Sequence, residues 1–129
     1  KEEGFLISEK GKVVENVKSS RNEKFFLFKK FYNILSLFES GVIDFLKEKY
    51  EEPEAIVIFG SYSRGEDTSE SDIDIAVVTK KEIELDLKGL EKKLKKKINI
   101  YEIQTIKSEK EFLNSLVNGI VVYGYLKVL

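Results

Sequence analysis

The stretch "FGSYSRGEDTSESDIDIAV", residues 59–77, decides how this chain reads. An apolar run, "AIVIFG" over 55–60, breaks at Gly60-Ser61; ten mostly polar residues then lead to Asp72 and Asp74. Ile73, Ile75, Ala76, Val77 and Val78 frame the two aspartates, so the second run is a strand that carries charge at the mouth of a core. Side chains alternate along a strand, which puts Asp72 and Asp74 on one face about 6–7 Å apart and turns Ile73 and Ile75 to the other. Two carboxylates at that spacing repel unless a cation lies between them.

Composition narrows the choice of cation and of chemistry. The 129 residues include no His and no Cys, which removes the usual general base, the commonest metal ligand, thiolate nucleophiles and disulfides. Catalysis must then run on carboxylates, Lys, Tyr, or a hard ion held by oxygen, and Mg²⁺ fits such a ligand set. Gly60-Ser61 lies where a strand gives way to a helical turn. Glycine lets the backbone come close to a ligand, and the N–H groups of the turn favour an anion such as phosphate. Ser61 adds a hydroxyl, Arg64 one turn on can place its guanidinium on a phosphate oxygen, and Gly65 provides a sharp exit. Anion site, arginine and paired carboxylates together describe a nucleoside triphosphate with its Mg²⁺.

The spacing Gly60-Ser61, ten residues, Asp72-x-Asp74 resembles the signature of the DNA polymerase beta-type nucleotidyltransferase superfamily, and most of all its smallest members, the minimal nucleotidyltransferases of archaea and bacteria. The likeness is densest over 55–78 and extends to about residue 103; "NGIVVYGYL" at 118–126 resembles the tail of archaeal members. It implies an α/β (α+β) fold, a small mixed sheet flanked by helices. It also implies transfer of a nucleoside monophosphate from a triphosphate, ATP foremost, to an acceptor hydroxyl on a protein, an RNA or a small molecule. By the same resemblance Asp72 and Asp74 are catalytic and hold Mg²⁺, with room for a second ion. Gly60 and Ser61 hold the outer phosphates, supported by Arg64 and Ser71. Small members of the superfamily include antitoxins that adenylylate a toxin of the HEPN class, so a protein partner stands beside nucleic acid. The family carries a third acid on a later strand. In "KKINIYEI", 96–103, the position that fits is Asn99, which brings no charge and cannot act as a base; Glu102 has the wrong parity. The departure bears on turnover and leaves triphosphate binding untouched.

The rest of the chain is read around that centre. Residues 1–20 form a polar-turned hairpin, similar to the wing of a winged-helix module that would bring DNA; residues 21–52 form a connector helix; residues 53–129 form the transferase domain. The helix starts at a capping-box spacing, Ser20 to Glu23, carries aromatic residues on more than one side, and has Ser40-Gly41 as a point of kinking. Those aromatics serve as core packing or as a surface for pairing with another copy. An amphipathic helix is expected over 83–95, strands over 98–103 and 119–126, and a short helix from Ser108 to Val117. Lys92, Lys93, Lys95, Lys96 and Lys97 make a solvated helix end or a contact for acceptor nucleic acid. A formal charge of −1 excludes a general polyanion binder, and no apolar run is long enough for a membrane span. A cytoplasmic protein is expected, and the lack of any Met suggests a fragment or processed product. A catalytically impaired nucleotide-binding or DNA-binding regulator is the competing reading, and a pairing module built on the aromatic helix is a third.

Overall fold

The computed structural model describes residues 19–104 and 110–126; the hairpin expected over residues 4–18 lies outside the described residues. The elements run α1 (Ser19–Ser40), α2 (Val42–Lys49), β1 (Ala55–Phe59), α3 (Ser61–Arg64), β2 (Ile73–Val78), α4 (Lys88–Leu94), β3 (Ile98–Ile103), α5 (Lys110–Val117) and β4 (Ile120–Gly124). The connector is two helices. Gly41, at φ 92°, turns the chain between them, and the Ser40 hydroxyl donates to the Leu37 carbonyl and accepts the Val42 N–H. Glycine alone takes that φ without strain.

The four strands form one mixed sheet in the order β3-β2-β1-β4. β1 is antiparallel to both β2 and β4, whereas β2 and β3 run parallel with Asp74 opposite Asn99. All five residues of β1 are buried, as a central strand covered on both faces requires. One face carries Ile56, Ile58, Ile73, Ile75, Val77 and Ile98 against Leu37, Val42, Ile43 and Leu46 of the first two helices. The other carries Ala55, Val57, Phe59, Ala76 and Val78 against Leu116 of α5. Each of these large side chains contributes roughly 1.5–3 kcal/mol by leaving water. That packing fixes the strand ends on which the site is built.

The helix expected over 83–95 is corrected: only Lys88–Leu94 is helical. Ile83, Leu85 and Leu87 are partly buried while Glu82, Glu84, Asp86 and Lys88 are exposed, so residues 82–87 are not helical and their burial alternates with a period of two. Ile83, Leu87, Leu90 and Leu94 also fit a helical stripe, and that coincidence hid the non-helical half. Its anchor is Glu102, which accepts the Ile83 N–H at 2.9 Å and the Tyr50 hydroxyl at 2.5 Å.

Candidate active site

The site is built where β1, β2 and β3 come to the same edge of the sheet. Phe59 pairs with Asp74, and Asp74 pairs with Asn99. Asp72 is the exposed residue just before β2, and Asp74 is half-buried in it. The Asn99 amide joins them: its Nδ2 donates to Asp72 Oδ2 at 3.1 Å and to Asp74 Oδ1 at 3.0 Å. Asn99 therefore lies beside both aspartates, on their face of the sheet. Glu102 is not beside them. It lies on the opposite face of β3 from Asn99, beside Ile98 and Ile100, bound by Tyr50 and the Ile83 amide.

Gly60 ends β1 with φ 79° and ψ −168°, and the single turn α3 follows, closed by Gly65 in the left-handed region at φ 72°. A Cβ on Gly60 would come within 2.7 Å of Asp74 Oδ2, so the backbone and the carboxylate share a space that only glycine leaves open. Ser61 opens the turn, and the Ser63 hydroxyl donates to the Gly60 carbonyl at 2.7 Å. Beside Gly60 a cleft of about 450 Å³ is lined by Phe59, Gly60, Arg64 and Asp74, by Asn114 and Ser115 of α5, and by Asn118 just after it. Arg64 is exposed and its Nε donates to Glu66 Oε1 at 2.9 Å, an exposed pair that a phosphate can displace at little cost. Ser71 is not among the residues lining this cleft: its hydroxyl accepts the Thr68 N–H and closes the 68–71 turn.

Several residues of the site had no signal in the sequence. Phe59, Tyr101 and Phe112 form an aromatic trio, with ring centroids 5.3–5.8 Å apart, beneath the carboxylates. Burial, and then the charges of Asp74 and Asp72, push the Tyr101 hydroxyl above its ordinary value. Behind the site Asp67 holds the 66–71 loop in place. It accepts both Lys29 Nζ contacts at 2.9 Å and Asn33 Nδ2 at 2.8 Å, and pairs with Lys96 at 3.5 Å. Asn33 also donates to the Tyr62 carbonyl, so one buried amide fixes α1 to the turn α3. Lys96 donates to the Thr68 carbonyl and Lys93 to that of Ser40, which makes two of the five clustered lysines internal fastenings.

Asp72 and Asp74 present hard oxygen donors beside an open backbone, which fits a divalent ion such as Mg²⁺ shared with phosphates. Among the described residues there is no group of three or more His, Cys, Asp or Glu side chains that could hold a metal ion.

Residues 41–126 match the model of a family described as "Polymerase beta, Nucleotidyltransferase". A Methanocaldococcus jannaschii protein named "Putative protein adenylyltransferase" is 62% identical over 32 residues, a stretch that covers 25% of this chain and 31% of that relative. The chain thus aligns with under a third of the curated relative it matches.

Proposed function

This chain belongs to the polymerase beta nucleotidyltransferase family, and from that premise we propose that it moves a nucleoside monophosphate from ATP to a hydroxyl of a protein acceptor. The observation that carries the reading is the meeting of Gly60, Asp72 and Asp74 at one sheet edge, beside a cleft that Arg64 also lines. In this reading the acceptor oxygen bonds to the α-phosphorus, the bond from that phosphorus to the bridging oxygen of the β-phosphate breaks, and pyrophosphate leaves as the acceptor proton is given up. Asp72 and Asp74 would hold Mg²⁺, whose chemistry when bound is to neutralise phosphate charge and polarise the phosphoryl group. Gly60 and Ser61 let the outer phosphates approach the backbone, and Arg64 exchanges Glu66 for a phosphate oxygen. Ser71 acts from a distance, by shaping the loop that leads into Asp72. Choice of a protein acceptor leans on the name of the archaeal relative; a HEPN-class toxin as that acceptor rests on the family resemblance alone. Among the described residues no helix is long and apolar enough to cross a membrane; a cytoplasmic setting is part of the proposal.

A second reading has its own observation, the amide at position 99. It makes the chain a nucleotide-binding regulator that grips ATP without transferring it. Incubation with Mg²⁺ and ATP labelled at the α-phosphate, with and without a lysate, separates the two. Label on a macromolecule, lost in Asp74→Asn, is the expected result; tight ATP binding without transfer supports the regulator.

A further inference from the structure

We propose that Asn99 restricts this site to one divalent ion, by holding a neutral amide at the third ligand position and cross-linking the two carboxylates through it. The inference rests on the nucleotidyl-transfer reading above and deepens it. Sites that clamp both the attacking and the leaving oxygen use two ions about 3.5–4 Å apart, and here two carboxylates are the protein charge on offer to such a pair. The parallel register sets Asn99 directly beside Asp74, so this is the side chain through which β3 can add a ligand from that position. Its Nδ2, 3.1 Å from Asp72 Oδ2 and 3.0 Å from Asp74 Oδ1, is a donor and cannot ligate. Turning the amide over would present one uncharged oxygen and abandon both hydrogen bonds.

Among the described residues no third carboxylate gathers with the two aspartates. Glu66 is engaged by Arg64, Asp67 by Lys29, Asn33 and Lys96, and Glu102 faces the other side of the sheet. The two carboxylates neutralise one divalent ion, and a second would have the triphosphate alone for its charge. When the ion is away, the amide N–H groups take over part of its work by keeping two like charges together.

The test counts Mn²⁺ bound per chain by electron paramagnetic resonance, at saturating α,β-methylene ATP, with melting temperatures of the metal-free proteins alongside. Wild type should take one ion in all, any that the analogue brings with it included. Asn99→Asp should take two, and its metal-free form should melt several degrees lower because three acids then face each other. Asn99→Ala should keep one ion and also melt lower without metal, since the carboxylates lose their shared donor. It carries the test if Asn99→Asp does not fold. Two ions on wild type overturn the proposal and leave nucleotidyl transfer standing. An unchanged count in a folded Asn99→Asp, or an unchanged metal-free melting temperature in Asn99→Ala, overturns it as well. Failure of wild type to bind the analogue in Mn²⁺ overturns both this proposal and the reading beneath it.

Discussion

Asp74 is the residue on which three strand ends depend, with Phe59 on one side, Asn99 on the other and the Gly60 backbone against its carboxylate. Asp72→Asn combined with Asp74→Asn should abolish metal-dependent nucleotide binding and leave the fold. The Asn99 amide keeps two oxygen acceptors while a like-charge repulsion disappears, so the melting temperature should stay within about 3 °C. Calorimetric titration with Mg²⁺-ATP and a thermal melt check both halves, and an unfolded double variant would mean the aspartates are structural. Gly60→Ala should cost about 1–3 kcal/mol, because alanine is strained at this φ and its Cβ would enter the space of Asp74 Oδ2. Denaturant unfolding measures that cost, and ATP affinity should fall with it as Asp74 is pushed aside. These residues were legible because their pattern is local: a glycine at a strand end, alternating aspartates, an asparagine on a third strand of matching parity. Asp67 was not, since its partners Lys29, Asn33 and Lys96 lie 38, 34 and 29 positions away and only the fold collects them.

At the scale of elements, the contrast between β2 and the 83–87 segment shows what limits the reading. β1 and β2 are near-continuous apolar runs with no competing period, and both appear within a residue or two of expectation. In 83–94 two periods share the same leucines, and the non-helical path over 83–87 is held by Glu102, which anchors the Ile83 amide from β3. The wall supplied by Asn114 and Ser115 was equally hidden, because a polar helix face gains meaning only from what it is packed beside. The tie between α1 and the 66–71 loop has a definite pH signature. Burial by itself would raise the Asp67 carboxyl, but the Lys29 and Asn33 hydrogen bonds outweigh it and hold the group below its ordinary value. A depressed carboxyl gives stability that is complete above the unfolded value near 3.9 and is lost as pH falls through the lower folded value. Asp67→Asn should therefore be less stable than wild type at neutral pH, with the gap closing below about pH 4. Melts of both proteins between neutral pH and pH 3 check this, and parallel curves would contradict it.

For the molecule as a whole, the outward side of α1 is the conspicuous surface. Phe31, Tyr32 and Leu35 are 61%, 65% and 55% exposed, and Leu27 and Phe38 are about half exposed, along one helix of a small domain. Exposed apolar area of this kind marks an association surface. We expect the protein to self-associate through α1, and Phe31→Asp with Leu35→Asp should shift it to monomer in light scattering without lowering ATP affinity; an unchanged mass would reject pairing through this helix. The sheet order has a consequence in time. β1 and β2 form an antiparallel hairpin in which Phe59 meets Asp74, whereas Asn99 reaches Asp74 only across 25 positions and a parallel crossover. Closing the longer loop is the slower event, so the glycine turn and the aspartates are expected to assemble first and β3 to dock afterwards. A chain still emerging from the ribosome would then hold its two carboxylates before it holds the amide that restrains them. In pulse-labelled hydrogen exchange the β1 and β2 amides should gain protection ahead of Ile98, whose N–H is held by Glu91 from the crossover helix.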